Sequence, residues 1–204
     1  MNPKIKNIMK KSFNITLIGL TLSIVFVPEV KAYAQQGLMK LGFFQPKLEL
    51  PAEITGNAND PKLVKESNFK MSFVDVKGKS LSLEELKGKV VFMNIWATWC
   101  GPCIAEMPSI QKLYDKFKDK EDIAFVILEA ESNKDKAVKF MTNKKLDLPV
   151  YFPTGNIPSE FFRGSLPTTV IFDKNGNVAH ITEGMADYSG DDIVDFLNEV
   201  RNMK

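Results

Sequence analysis

Apolar residues recur along this chain in two rhythms, one of strands and one of helices. Val90 to Trp96 runs almost continuously apolar, the pattern of a central strand covered on both faces, and Ile123 to Leu128 and the shorter Val150 to Phe152 repeat it. Phe69 to Val76 alternates instead, as a strand with one buried face does, and Lys77-Gly78-Lys79 turns the chain after it. Ser82 precedes Glu85 at capping-box spacing and predicts a short helix to Leu86. Helical periodicity takes over from Cys100 to about Lys118, where Ile104, Met107, Ile110, Leu113, Tyr114 and Phe117 share a face. Pro108 lies inside that helix, where it removes one backbone bond and should kink it. Lys134 to Asn143 predicts another helix, and Asp191 to Met203 an amphipathic closing one. Before that last helix, Thr168 to Asp173 and Asn177 to Thr182 form β-rich runs joined by Lys174-Asn175-Gly176, a hairpin turn signal.

Strands and helices alternate first, and a hairpin and helix follow. That order implies an α/β fold, one mixed sheet with helices on both sides. The C-terminal end of Val90 to Trp96 is then where such a sheet places its site.

Ahead of the domain, which begins near Asn68, lie two segments of different character. Lys4, Lys6, Lys10 and Lys11 precede an apolar stretch from Phe13 to Val27, followed by Pro28 and the small-x-small triplet Ala32-Tyr33-Ala34. Residues 1–34 therefore read as a secretory signal peptide cut after Ala34. The competing reading is an uncleaved anchor, which needs about twenty apolar residues. This stretch is shorter and includes Asn14, Thr16, Thr21 and Ser23. Residues 35–67, punctuated by Pro46, Pro51, Gly56 and Pro61, read as an extended lead-in. Its Leu38, Leu41, Phe43 and Phe44 are apolar enough to dock on the domain or on a partner. Residues 68–204 make one domain.

Charge excludes one class of partner. The chain has 27 basic and 25 acidic residues, and the first 34 residues hold five lysines and one glutamate, so the remainder is near-neutral with 22 and 24. No basic patch with interleaved aromatics argues for nucleic acid.

The candidate chemistry is in Trp99-Cys100-Gly101-Pro102-Cys103, which contains both cysteines of the chain. A strand that hands over to a helix beginning at Cys100 puts the two sulfurs on one helical turn, within disulfide reach. At a helix N-terminus Cys100 faces unpaired N–H groups and the positive end of the dipole, which favour thiolate and make it the expected nucleophile. Cys103, one turn further in and buried, is the expected resolving thiol. Pro102 fits a first turn because it has no N–H to lose. A zinc site would need four ligands, and the chain offers two cysteines and one histidine, His180. A purely structural disulfide closing so short a loop removes little entropy from the unfolded chain. No metal and no cofactor is expected.

Trp96-Ala97-Thr98-Trp99-Cys100-Gly101-Pro102-Cys103, with Pro108 and with Leu166-Pro167-Thr168-Thr169 before the hairpin, resembles the thioredoxin superfamily. Gly88-Lys89-Val90-Val91 and Glu106-Met107-Pro108 narrow the resemblance to exported TlpA- and ResA-type thiol-disulfide oxidoreductases. The resemblance implies a thioredoxin fold with an N-terminal β extension and a central helix-strand insertion. It also implies a cis bond before Pro167, lying against the disulfide, where the Leu166 backbone meets an extended substrate peptide. Trp99, Gly101 and Pro102 complete the substrate-facing rim. In cytoplasmic thioredoxins a buried aspartate stands six residues before the first cysteine, and here that residue is Asn94. In the ResA-like branch the acid stands three residues after the second cysteine, where this chain has Glu106. A raised pKa would let Glu106 receive the resolving thiol's proton. The alternative for Glu106 is a surface residue paired with a lysine.

The resemblance implies an exported enzyme, periplasmic or on the outer face of the cytoplasmic membrane. It would reduce protein disulfides, would be recharged by a membrane thiol-transfer protein, and would have apocytochrome c as its first-named target. The rivals are the same fold run as an oxidase or isomerase, and a copper-handling module using His180. His180 is otherwise expected to be structural.

Overall fold

The computed structural model describes residues 3–39, 43–48 and 71–203. Seven strands form one mixed sheet: β1 Ser72–Asp75, β2 Ser80–Ser82, β3 Val90–Trp96, β4 Ile123–Glu129, β5 Val150–Pro153, β6 Thr168–Phe172 and β7 Val178–Glu183. Their spatial order is β2-β1-β5-β4-β3-β6-β7. β3, β4 and β5 run parallel, and β1 and β6 join them antiparallel. This is the thioredoxin fold, with the β1-β2 hairpin added at one edge and a helix and β5 inserted after β4.

All seven side chains of β3 are buried. Its alternate residues feed two cores, Val90, Phe92 and Trp96 on one face and Val91, Met93 and Ile95 on the other. A strand buried on both faces has no position for a polar residue without a partner, which explains its continuous apolar run. The exception, Asn94, belongs to the site.

Five helices are described: α1 Pro3–Phe26, α2 Pro28–Met39, α3 Gly101–Phe117, α4 Lys134–Lys144 and α5 Asp191–Asn202. α3 continues through Pro108 to Phe117 and buries Cys103, Glu106, Met107, Ile110 and Leu113. α5 buries Ile193, Phe196, Leu197 and Val200, and its Arg201 makes a forked hydrogen bond to Asp122, just ahead of β4. Ser82 and Glu85 exchange the reciprocal bonds of a capping box, although the turn they cap is a single 3₁₀ turn, Glu84–Leu86. Asp173 accepts the amides of Asn175 and Asn177 in the β6-β7 turn, where Gly176 takes φ 84°, a conformation that favours glycine.

The first five residues of the lead-in are helical where an extended segment is expected. Residues 35–39 form the end of α2, a stretch rich in alanine, glutamine, leucine and methionine behind Pro28, all compatible with a helix. Its Met39 is buried against Ile104 and Ala105 of α3. The expected cleavage point after Ala34 falls within α2. Residues 40–42, Leu41 among them, residues 49–67 and the beginning of the strand expected from Phe69 lie outside the described residues. Among the described residues no helix is long and apolar enough to cross a membrane.

Candidate functional site

β3 ends at Trp96, and four residues later Cys100 caps α3. Its backbone is extended (φ −77°, ψ 103°), and its Sγ accepts the Cys103 N–H at 3.2 Å. Sulfur thus takes the role that a serine or aspartate oxygen takes at other helix starts. A thiolate accepts such a bond better than a thiol does. Cys100 and Cys103 are joined in a disulfide with Cα atoms 5.2 Å apart. Cys100 is 4% exposed and Cys103 is fully buried.

Sheet register brings the second half of the site alongside. Thr168 of β6 pairs with Ile95, so the residue before it, Pro167, lies level with the end of β3. The Leu166–Pro167 bond is cis. The Pro167 carbonyl accepts the Gly184 N–H at 2.8 Å, which ties this turn to the loop after β7. On the rim, Trp99 is 59% exposed and its indole N–H donates to Glu131 Oε1 at 2.8 Å. Gly101 is buried and Pro102 and Leu166 are half-buried beside it.

Glu106 is completely buried, which rules out a surface ion pair with a lysine. Asn94 Nδ2 donates to its Oε1 at 2.7 Å and to Thr169 Oγ1 at 3.0 Å. Ala186 N–H donates to its Oε2 at 3.2 Å. Burial pushes the carboxyl pKa up to about 8, against the lowering effect of the two donated hydrogen bonds. The next loop residues are also fastened to α3: Tyr188 N–H donates to Ser109 Oγ, which in turn donates to the Glu106 carbonyl. The phenol of Tyr188 is raised by its own burial first and then by the charge of Glu106.

Two features escaped the residue pattern. Glu129, at the end of β4, is buried, and its Oε2 accepts the Asn133 N–H at 2.7 Å. Burial raises its pKa. Its inward position was legible, because Ile123, Phe125 and Ile127 set a period of two that reaches it. The other feature is which lead-in residues dock and where: Met39 and Phe44 pack beside this site, while Leu38 and Phe43 are exposed. His180 on β7 lies against Phe196, and its Nε2 is 2.9 Å from Thr182 Oγ1, a structural setting. Among the described residues no three His, Cys, Asp or Glu side chains converge as metal ligands do.

This arrangement can exchange a disulfide: a capped outer sulfur, a buried inner one, and an acid one turn below that holds its proton near neutral pH. Comparison with known proteins agrees. The Redoxin family model matches residues 64–192. The chain is 39% identical over 105 residues to the thiol-disulfide oxidoreductase ResA of Bacillus cereus, a match covering 51% of this chain and 60% of that protein. It is 29% identical over 142 residues to ResA of Halalkalibacterium halodurans, covering 68% and 80%. The crystal structure of a thiol:disulfide interchange protein of the thioredoxin family from Chlorobium tepidum superposes with TM-score 0.55 at 26% identity, over 64% of this chain and 92% of that one. The match thus spans about 60% of the length of the first of these relatives.

Proposed function

This chain belongs to the Redoxin family, and from that premise we propose that it is an exported thiol-disulfide oxidoreductase that reduces disulfides of other extracytoplasmic proteins. The observation that carries the reading is the fully buried Glu106 one helical turn beyond Cys103, with its pKa raised to about 8.

The Cys100 thiolate attacks one sulfur of a substrate disulfide, a mixed disulfide forms, and the other substrate sulfur leaves as a thiolate. In the molecules whose Glu106 is ionised, Cys103 then gives its proton to that carboxylate and attacks Cys100 Sγ, closing the internal disulfide and releasing the second substrate sulfur as a thiolate. Two electrons pass to the substrate. The proton stays on Glu106, where a carboxyl of pKa about 8 keeps it at neutral pH, and it returns to Cys103 when the protein is reduced again. Trp99, Gly101 and Pro102 line the approach to Cys100, and the Leu166–Pro167 turn aligns an extended substrate.

Residues 1–34 act as the export signal, cut after Ala34. The protein then works in a periplasm or on the outer face of the cytoplasmic membrane. Electrons reach it from a membrane thiol-transfer protein, and the cysteines of apocytochrome c are the first target to test.

The experiment is a redox titration against glutathione. A midpoint below that of the glutathione pool supports reduction, whereas one near or above about −150 mV makes the protein an oxidase or isomerase instead.

A further inference from the structure

The lead-in touches the site directly. Met39, at the end of α2, is 4% exposed and packs with Ile104 and Ala105, the two residues after Cys103, together with Phe44 and Met185. Met185 adjoins Gly184, whose N–H donates to the Pro167 carbonyl. Ile104, Ala105 and Met185 therefore form an apolar shoulder between the resolving cysteine and the cis-proline turn, and Met39 and Phe44 cover it.

From Phe43 to Leu48 the burial has a period of two. Phe44, Pro46 and Leu48 are buried or half-buried, while Phe43, Gln45 and Lys47 are exposed. That is the pattern of an extended segment with one side laid on a surface. Its backbone is also engaged, because the Asp187 N–H donates to the Phe44 carbonyl at 2.7 Å. Leu48 packs against the main core. A disordered linker makes none of these contacts, and every one of them lies beyond Ala34, so they survive the expected cleavage.

We propose that Met39 and Phe44 are specificity-determining residues: Met39 and the extended residues 43–48 form a strap over the shoulder beside Cys103, where a folded protein substrate would otherwise rest. This rests on the thiol-disulfide reading above. Trp99, beside Cys100, is 59% exposed, so small disulfides and segments presented as narrow extended strands reach Cys100 from that side. Broad substrates collide with the strap.

The test compares the full chain with its Met39→Ser/Phe44→Ala variant on two substrates, oxidised glutathione and insulin, with dithiothreitol as the common electron donor and its uncatalysed rate subtracted. The expected result is a rise of about tenfold in kcat/KM for insulin, mainly through KM, with the glutathione rate within about twofold. Equal changes on both substrates, or none on insulin, overturn the strap. If the unmodified protein reduces neither substrate, the redox reading falls and takes the strap's role with it. If it reduces both and the variant does not favour insulin, only the strap falls. Should the double variant fail to fold, Phe44→Ala alone repeats the comparison. Hydrogen exchange on the unmodified protein is a reading independent of any variant. A protected Asp187 amide supports the docked segment, and one exchanging at the rate of an open loop overturns it.

Discussion

The amide of Asn94 on β3 donates to the carboxyl of Glu106 on α3 across 2.7 Å, inside the sealed layer between sheet and helix. The acid that cytoplasmic thioredoxins carry on the strand is here carried on the helix, and the strand supplies a neutral donor in its place. Burial, rather than a neighbouring charge, is the main reason this carboxyl holds its proton.

Stability should therefore fall as pH rises. The folded-state pKa of Glu106, about 8, lies above its ordinary 4.5, so the folded protein binds the extra proton between those values and loses stability across that window. At about 1.4 kcal/mol for each pKa unit, the full loss is on the order of 5 kcal/mol. Glu106→Gln removes it. Urea unfolding at pH 5 and pH 8 should show the variant gaining on the wild type as pH rises, and a constant gap would mean that the carboxyl titrates normally.

The same substitution should reshape the kinetics. In stopped-flow measurements the wild-type resolving step should show an inflection near the Glu106 pKa of about 8. With glutamine there, the inflection should vanish and the rate at pH 8 should drop about a hundredfold or more. An unchanged profile assigns the proton to another group.

Asn94→Asp would set a second carboxyl against Glu106 at the present 2.7 Å contact. Two such groups cannot both ionise, so they should share one proton and titrate as a pair. The variant should match the wild type at pH 5 and be less stable by about 2–4 kcal/mol at pH 8. Equal stability at both values would show that the pocket admits water.

Replacing the buried Cys103 with serine removes the resolving sulfur and should accumulate mixed disulfides through Cys100. Mass spectrometry of the trapped species in the exported fraction identifies the substrate. Adducts with no preferred protein would show that Cys103 does not resolve. Cys100→Ser should trap nothing.

Much of this was legible in the residues because the signals are local. The run Val90 to Trp96 announced a two-faced strand, and Cys100-Gly101-Pro102-Cys103 behind it announced the helix start. The cis bond before Pro167 came from the family resemblance, since local sequence favours trans. The surroundings of Glu106 were not legible. They depend on Asn94 and Thr169 from two strands and on a backbone amide at Ala186, which any residue but proline could supply. That Phe44 could dock on the domain was legible, but the place and the partners of the strap were not. Met39, Phe44, Pro46 and Leu48 follow no single period, because the chain passes from helix to extended segment between them.

Ala186 lies 80 residues downstream of the carboxyl it helps to hold. Synthesis delivers a chain from its amino end, so both sulfurs emerge well before the loop that closes over Glu106, and contacts so distant in sequence form late. Until then Glu106 is a hydrated side chain of ordinary acidity, and the nascent dithiol has no proton store. A truncated product ending before the hairpin would keep both cysteines and Glu106 but not the enclosure that lets Glu106 hold a proton, so completion of the polypeptide itself arms the chemistry.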